Sequence, residues 1–443
     1  MSNERALFVT RLGGILAAVG SAVGLGNIWR FPYETGQNGG AAFLIVYILC
    51  VLLIGTPLML AELTIGRASH SNGIGAFKRL APGSRWWITG LIGMIAVTLI
   101  VSFYSVVAGW TLHYTCASIA DTLGEQSFGT FTQGPWMPLA WMSLFILINA
   151  LILLGGVQKG IERASNILMP LLGVLLVVLC INSLMLPGAG EGLSFLFHPD
   201  FSKISGKVVL SAMGQSFFSI SMGVSTLLVY GSYLPNSTRM GKTSLTICLL
   251  DTMIAILAGI IIFPACFAYG IQPDAGPGLA FITLPDVFMQ MSGGYVWSIA
   301  FFLLLAVAAL TSSISMLECP IAILQEQCRM KRWLAVLIVS LIAWVLGIGC
   351  CLSFNPAWAK TLTVGGLTLF DLFDKGTANF LMPLGGLLMS LFVGWRMDKK
   401  VLHDTLTNFG KDSGWFIPLF LFIVRFFAPA CILLIFLSGL GVL

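Results

Sequence analysis

Charged side chains are scarce in this chain. Its 443 residues include 23 Lys and Arg and 18 Asp and Glu, so only 9% are charged, against about a quarter in a soluble domain. Hydrophobic residues make up 57%, and the mean hydropathy is +0.95. The small net charge of +5 comes mainly from loop lysines and arginines, which excludes a nucleic-acid-binding surface. The composition therefore predicts an integral membrane protein that lies in a lipid bilayer.

Groups typical of catalytic and metal sites are also few. The four histidines are scattered and make no nucleophile–base spacing: His70, His113, His198 and His403. The ten cysteines include no C-x-x-C pair, and most lie in apolar segments, so they are predicted to be packing residues. Both observations predict that the chain is not an enzyme.

Long apolar segments rich in Leu, Ile, Val and Phe dominate the sequence. Each can cross the hydrocarbon core as a helix of about 20 residues. The predicted spans are 11–35, 41–66, 87–116, 138–155, 165–186, 207–232, 243–268, 296–327, 333–352, 369–396 and 415–440. The sequence thus predicts an all-α integral membrane protein with eleven transmembrane helices.

Lysine and arginine are unequally distributed between the two sets of loops. With the N-terminus inside, only Lys203, Lys207 and Lys360 fall in outer loops, and the other loop cations fall in inner ones. Such a bias is typical of cytoplasmic loops. Residues 1–10 are therefore predicted to be a cytoplasmic N-terminus without a signal-peptide layout, and the odd number of spans places the C-terminus outside.

Three glycines crowd the middle of the first span. Gly20, Gly24 and Gly26 each weaken a helix by up to about 1 kcal/mol relative to Ala. A spanning helix that breaks here exposes carbonyls that suit a cation and N–H groups that suit an anion. Asn27 and Arg30 follow within about one turn. The stretch predicts a midplane site for a cation and a carboxylate; the alternative is a kinked helix contact packed through glycine.

The sixth span has a second interruption. Residues 217–226 include four Ser and Thr and one Gly within an apolar run. Serines alone are tolerated in a spanning helix, so the position matters more: this span begins a second set of five. Paired breaks in corresponding spans are typical of inverted-repeat transporters. The predicted domains are 11–186 with spans one to five, 187–396 with spans six to ten, and 397–443 with a loop and span eleven.

Polar groups inside the spans need a partner or a cavity, because hydrocarbon cannot satisfy them. Asp251 in span seven is such a group, and Arg425 in span eleven is interpreted as structural. Ala308, Thr311 and Ser312 are spaced i, i+3, i+4 and share one face of span eight. Their carbonyl and hydroxyl oxygens suit an alkali cation, although packing against a neighbouring helix is the commoner role of such a triplet.

The outer connection 269–295 contains prolines around a short apolar piece, 279–282. That piece is too short to span the membrane, so it is predicted to lie against the protein as a lid; the alternative is a helix on the membrane surface.

Several motifs resemble those of the neurotransmitter:sodium symporter family. They are SAVGLGNIWRFPY at 21–33, NGGAAF at 38–43, GTPLMLAE at 55–62, AMGQSFFS at 212–219, FITLP at 281–285 and LTSS at 310–313. The likeness covers nearly the whole chain, and the first motif is long and specific. The resemblance implies a bacterial amino-acid transporter of the LeuT type in the cytoplasmic (inner) membrane. Its fold would be a 5+5 inverted repeat in which spans one and six are broken. The chain lacks the twelfth span and the long second outer loop of animal members.

The resemblance implies two sodium ions beside one substrate. The first would be held by the substrate carboxylate together with Ala22, Asn27, Ser219 and Asp251. The second would be held by Gly20, Val23, Ala308, Thr311 and Ser312. The family usually has Asn at the position of Asp251, so this chain departs from the pattern by supplying a carboxylate.

The resemblance also implies the substrate contacts and the gates. The substrate would lie against Ser21, Ala22, Gly24, Gly26, Tyr104, Phe218, Ser219, Ser221, Val224, Ser312 and Met316. Its side chain would be held in an apolar pocket formed by Ile100 with Phe218, Val224 and Met316. The outer gate would be Arg30 with Asp374, and the inner gate Arg5 with Glu326. Glu62 would accept hydrogen bonds from the broken backbone near span six, and Phe8 stands where relatives often have Trp.

These features imply sodium-coupled symport of a neutral, hydrophobic L-amino acid by alternating access. Ala255, four residues after Asp251, lacks the hydroxyl that helps to hold chloride in animal relatives, and Asp251 supplies a negative charge instead, so transport is expected to be chloride-independent. Proton exchange on the return step and the oligomeric state remain open. The competing hypothesis is a substrate sensor or channel of the same fold without coupled transport.

Overall fold

The computed structural model describes residues 6–125, 127–235, 237–270 and 279–439. It is almost entirely helical. The helices of the first half are α1 Arg11–Ala22, α2 Gly26–Gln37, α3 Ala41–Ser69, α4 Gly73–Leu80, α5 Trp87–Ile119, α6 Phe128–Gln133, α7 Met137–Leu154, α8 Val157–Leu184 and α9 Ala189–Phe197.

The second half continues in the same way. A single 3₁₀ turn, Phe201–Lys203, precedes α10 Gly206–Ser219, α11 Thr226–Tyr233, α12 Met240–Ala268, α13 Thr283–Gln290, α14 Gly294–Gln327, α15 Arg332–Leu352, α16 Pro356–Ala359, α17 Leu369–Arg396, α18 Lys399–Leu406 and α19 Ile417–Gly439. Between α16 and α17, the two-residue strands β1 Thr363–Val364 and β2 Leu367–Thr368 pair antiparallel, with Val364 opposite Leu367.

Within the described residues, nine helices are long and apolar enough to cross a membrane, and the bent pair α1–α2 makes up to ten. The sixth predicted span corresponds to α10 and α11. These helices have 14 and 8 residues and are separated by the non-helical residues 220–225, so neither reaches the roughly 20 residues that a span needs. The prediction of a membrane-spanning helical protein is confirmed, whereas the count of eleven spans stays a prediction.

One predicted span begins earlier in the structure than in the sequence analysis. The fifth was expected to start at residue 165, after the charged residues 159–163, but α8 starts at Val157. The reason is that Glu162 is buried and accepts hydrogen bonds from the backbone N–H groups of Val9 and Thr10, at 2.8 and 3.0 Å. The Glu162 carboxylate therefore holds the residues that lead into α1 instead of marking a loop, and the Thr10 hydroxyl caps the helix by accepting from Gly13 N at 2.9 Å.

At the centre of the molecule, α14 packs against both α5 and α1. About 78% of the most apolar part of α14 is buried, against 28% of that of α19. Helices such as α7, α8 and α19 therefore form the outer layer that faces lipid, and the polar groups of α1 and α14 lie at the protein's interior.

Candidate functional site

The first helix breaks where its glycines are. At Val23 the backbone is extended, with ψ of 116°, and α2 leaves at 48° to α1. Side chains then satisfy the freed backbone groups: Asn27 Oδ1 accepts from Gly24 N at 3.1 Å, and Tyr104 Oη accepts from Leu25 N at 3.2 Å. The break is thus stabilised by polar partners inside the protein, as a break at membrane depth requires.

The second break lies between α10 and α11. Ser221, Gly223 and Ser225 have φ of 51°, 82° and 62°, in the left-handed region where the backbone cannot continue a helix. A Cβ on Gly223 would collide with the Met382 carbonyl, which explains the glycine. Glu62 Oε1 accepts a hydrogen bond from Gly223 N at 2.6 Å, so the expected capping of this break by Glu62 is present.

A buried polar cluster joins the two broken helices to α12. Asn27 Nδ2 donates to Ser219 Oγ at 2.9 Å and to Asp251 Oδ1 at 2.8 Å. Ser219 Oγ donates to Asp251 Oδ2 at 2.7 Å, and Tyr47 Oη donates to Ser219 Oγ at 3.1 Å. All four side chains are at most 1% exposed. Among the described residues no Lys or Arg forms an ion pair with Asp251.

This cluster brings together three of the four residues predicted for the first sodium site. The fourth, Ala22, lies at the end of α1 and is also buried. If ionised, a carboxylate that is buried without a cationic side chain needs another positive partner, because an isolated charge is expensive to bury. A monovalent cation coordinated by carboxylate, amide, hydroxyl and carbonyl oxygens fits this chemistry.

The residues predicted for the second sodium site lie where α1 meets α14. A Cβ on Gly20 would be 3.2 Å from Thr311 Cβ, so the two backbones approach closely there. Ser312 Oγ donates to the Ser21 carbonyl at 3.3 Å, and Thr311 Oγ1 donates to the Ala308 carbonyl at 3.0 Å. The end of α1 and the Ala308 face of α14 therefore share one buried seam, which also includes Val23.

A small cavity lies between the breaks. Its volume is about 20 Å³. Ten of the eleven predicted substrate residues line it: Ala22, Gly24, Gly26, Tyr104, Phe218, Ser219, Ser221, Val224, Ser312 and Met316. Ser21 does not line it, and its hydroxyl is buried without a hydrogen-bond partner. Leu25, Ile100 and Met382 complete the lining.

Two of the lining residues were absent from the predicted contacts. Leu25 and Met382 are apolar side chains in apolar runs, so no pattern distinguishes them from packing residues. Gly26 has a clearer role, because a Cβ there would be 3.1 Å from the Phe218 ring. The glycine lets that ring lie directly over the backbone of the first break.

The outer side of the cavity is covered by Phe218 and Arg30. The Arg30 guanidinium carbon lies 4.3 Å from the centre of the Phe218 ring, a cation–π contact. Its Nε is 3.7 Å from Glu34 Oε1. Asp374, the predicted gate partner, interacts with Arg30 electrostatically, but the two described side chains form no ion pair within 4.0 Å. The predicted gate residues are therefore neighbours that do not touch.

Further out, the expected lid packs against the protein. Leu279, Ala280 and Phe281 are each 1% exposed, and Phe281 contacts Trp110 with ring centroids 5.7 Å apart. Ile282 is 52% exposed. The short apolar piece thus lies on the outer aromatic cluster, which favours the lid over a free surface helix; residues 271–278 lie outside the described residues.

On the inner side, Phe8 closes the end of α1. It is 2% exposed and makes edge contacts with Tyr230 and Tyr233, with centroids 5.7 and 5.9 Å apart. Of the predicted inner gate, Arg5 lies outside the described residues. Glu326 accepts hydrogen bonds from Asn72 Nδ2 at 2.8 Å and Asn72 N at 3.1 Å, which ties the end of α14 to the start of α4.

Comparisons with known proteins agree with this geometry. The family model described as "Sodium:neurotransmitter symporter family" matches residues 5–135 and 135–442. The chain is 38% identical over 451 residues to the uncharacterized sodium-dependent transporter YhdH of Bacillus subtilis (strain 168), covering 100% of both chains. It is 36% identical over 459 residues to an uncharacterized sodium-dependent transporter of Haemophilus influenzae, covering 99% of both.

A solved structure is also similar over its whole length. The crystal structure of MhsT in complex with L-phenylalanine superposes with a TM-score of 0.90 at 45% identity, and the match covers 98% of this chain and 100% of that one. At this identity and coverage the two chains share their fold.

Proposed function

The chain belongs to the sodium:neurotransmitter symporter family, and from that membership we propose that it imports a neutral, hydrophobic L-amino acid together with Na⁺. Sodium-coupled symport across a membrane is the family's activity. The finer assignment depends mainly on one observation. Among the described residues, the cavity between the two helix breaks is lined by glycines, apolar side chains and hydroxyl groups, and by no Lys, Arg, Asp or Glu.

The backbone at the first break suits the carboxylate of an amino acid. The first N–H groups of a helix have no intrahelical acceptor and carry partial positive charge, so the start of α2 favours an anion. Gly24 has no room for a side chain, because a Cβ there would lie 2.9 Å from Tyr104 Oη and 3.0 Å from Ser312 Cβ. Amine-transporting relatives have an Asp at this position in place of the carboxylate that an amine lacks. We therefore expect an α-amino acid and not a monoamine.

The apolar part of the cavity lining suits an apolar side chain. It consists of Leu25, Ile100, Phe218, Val224, Met316 and Met382 together with Ala22. A charged side chain would be buried among them without a partner, at a cost of several kcal/mol. Aliphatic, Met or aromatic substrates should therefore fit. The complex of the similar protein MhsT with L-phenylalanine supports this substrate class.

Two Na⁺ ions would lie on either side of the first break. The first would be coordinated by Asn27, Ser219 and Asp251 with the Ala22 carbonyl and the substrate carboxylate. The second would be coordinated by the carbonyls of Gly20, Val23 and Ala308 and the hydroxyls of Thr311 and Ser312. Each charge that crosses 100 mV releases about 2.3 kcal/mol, so two ions supply about 4.6 kcal/mol, or roughly three decades of accumulation.

Chloride should be unnecessary for this cycle. Asp251 supplies a fixed negative charge in contact with Asn27 and Ser219, at 2.8 and 2.7 Å. The position four residues later is Ala255, which offers no hydroxyl to an anion. The charge that balances the first Na⁺ would thus belong to the protein itself.

Alternating access would use the two broken helices as moving parts. Arg30 and Asp374 would pair when the outer path closes, and Arg5 and Glu326 would pair when the inner path closes. The 5+5 repeat of spans, 11–186 and 187–396, would place the breaks symmetrically about the site, with the N-terminus in the cytoplasm of a bacterial cell and the C-terminus outside.

A thermal-shift screen of the twenty amino acids, in Na⁺ and in K⁺, tests the substrate assignment. Hydrophobic amino acids should raise the melting temperature in Na⁺ and not in K⁺, because ligand and ion bind the same folded state. Tight Na⁺-dependent binding of glutamate or of a monoamine would contradict the assignment. A sensor or channel of the same fold would pass this screen, so concentrative flux must separate it from a symporter.

A further inference from the structure

Arg425 is a cation on the helix that faces lipid most. It lies eight residues into α19, and its neighbours Phe422 and Phe426 are 58% and 52% exposed. A cation at membrane depth costs about 2.5–3.5 kcal/mol near the bilayer centre unless it has a partner or reaches the interface. The proposed transport cycle does not use this residue.

The protein holds the Arg425 side chain in a fixed position. Its Nε donates to the Gly394 carbonyl at 2.6 Å, and its guanidinium carbon lies 5.6 Å from the centre of the Trp395 ring. Trp395 Nε1 in turn donates to the Arg425 carbonyl at 3.4 Å. A Cβ on Gly394 would be 2.8 Å from Arg425 Cγ, so only glycine allows this approach.

The backbone is unusual at the same point in both helices. The end of α17, Phe392–Arg396, and the middle of α19, Ile423–Phe427, each form a π-helical turn. Among the described residues, four more such turns occur, at Gly26–Arg30, Val51–Gly55, Val157–Glu162 and Thr377–Leu381, so the turn alone does not mark a functional site. The two wide turns lie against each other, and they expose the carbonyl of Gly394 that receives the guanidinium.

The terminal amino groups of Arg425 are not used by the protein. Within the described residues, the hydrogen bond from Nε is the one that its side chain makes, and no carboxylate lies within 4.0 Å of it. The two Nη groups form the planar fork that matches phosphate oxygens. The described residues therefore orient the fork but provide no anionic partner for it.

The surrounding end of α17 is also cationic. Arg396 follows Trp395 directly, and Lys399 and Lys400 begin α18; all three are exposed. The acidic residue among them, Asp398, accepts hydrogen bonds from Lys400 N and Val401 N, at 2.9 and 3.0 Å, and so caps α18. Basic pockets between spanning helices at a membrane face are typical binding sites for anionic lipid head groups.

We propose that the ends of α17 and α18 and the adjacent turn of α19 bind the phosphodiester of an anionic phospholipid, with the Nη fork of Arg425 as its central contact. The exposed rings of Phe422 and Phe426 would lie along the acyl chains. The position favours a lipid over a free phosphate, because the fork lies among side chains that face hydrocarbon. The phosphate of the bound lipid would be the anionic partner of Arg425, since no carboxylate of the described residues pairs with it.

Native mass spectrometry of the full chain, purified in detergent and titrated with phosphatidylglycerol or phosphatidylcholine, tests this site. Wild type should bind one phosphatidylglycerol at least tenfold more tightly than phosphatidylcholine, and Arg425→Gln should lose about tenfold of that affinity, which is about 1.4 kcal/mol. Arg85→Gln removes an exposed arginine of the basic loop 67–86 and should behave as wild type. Soluble glycerol phosphate should not displace the lipid.

Arg425→Lys separates a lipid contact from a purely structural role. It keeps the positive charge but loses the fork, so its phosphatidylglycerol affinity should fall between those of wild type and Arg425→Gln. If Arg425→Gln fails to fold, the affinity of Arg425→Lys and the lipid preference of wild type still test whether Arg425 binds the lipid. Wild type without a preference for phosphatidylglycerol, equal affinity in both variants and wild type, or full displacement by glycerol phosphate would overturn the proposal.

Discussion

The effect of removing the Asp251 carboxylate on Na⁺ binding can be estimated from the distances in the structure. Asp251→Asn keeps the size of the side chain and replaces a unit charge by a neutral amide. Its oxygens lie 2.8 Å from Asn27 Nδ2 and 2.7 Å from Ser219 Oγ. An ion held by those two side chains would therefore lie within about 4 Å of the carboxylate.

At that distance two unit charges attract by about 4 kcal/mol at an effective dielectric constant of 20. The cost of desolvating the ion and the carboxylate offsets part of this energy. Since each 1.4 kcal/mol is a factor of ten, Asp251→Asn should weaken Na⁺ binding by between about tenfold and about a thousandfold.

The assay is Na⁺-dependent binding of L-phenylalanine to purified protein, with chloride or gluconate as the anion. Wild type should be indifferent to the anion. Asp286→Asn is the matched control, because it makes the same chemical change at an exposed position of α13. The reasoning is refuted if Asp251→Asn keeps the Na⁺ affinity of wild type, or if wild type stops binding when chloride is replaced.

Three further variants test other parts of the site. Thr311→Val with Ser312→Ala removes two hydroxyl oxygens at nearly constant volume, so Na⁺-driven uptake should collapse while folding persists; retention of the wild-type Na⁺ affinity would make them packing residues. Arg30→Ala removes the cation over Phe218, so a cysteine in the outer vestibule should become more accessible to a thiol reagent, and transport should slow more than Na⁺ binding weakens; unchanged accessibility would contradict the gate. Glu62→Leu leaves the N–H of Gly223 without an acceptor, so thermal unfolding should report a loss of about 1–3 kcal/mol, and wild-type stability would disprove the cap.

The sequence predicted the helix breaks because each has a local chemical signature. Gly20, Gly24 and Gly26 weaken a helix in any context, and the hydroxyls of residues 217–226 provide alternative backbone partners. The structure breaks at residues 23–25 and 220–225, within both predicted stretches. The i, i+3, i+4 spacing of Ala308, Thr311 and Ser312 likewise placed them on one face of α14.

Other features depend on side-chain packing, and no pattern in the sequence predicts them. Leu25 and Met382 line the cavity from apolar runs that resemble ordinary lipid-facing helix. Glu162 is buried where it accepts hydrogen bonds from Val9 N and Thr10 N, which reversed the expectation that a charge marks a loop. The contact of Arg425 with Gly394 joins residues 31 positions apart, and only the folded arrangement of α17 and α19 reveals it.

Uptake into proteoliposomes tests the central proposal most directly. The measurement is the internal concentration of labelled L-phenylalanine after an inward Na⁺ gradient is imposed, with and without a negative internal potential. The account predicts accumulation above the external concentration, a further increase with the potential, and no accumulation when K⁺ replaces Na⁺. Binding without accumulation, or entry that stops at the external concentration despite the gradient, would contradict coupled symport and favour a sensor or a channel.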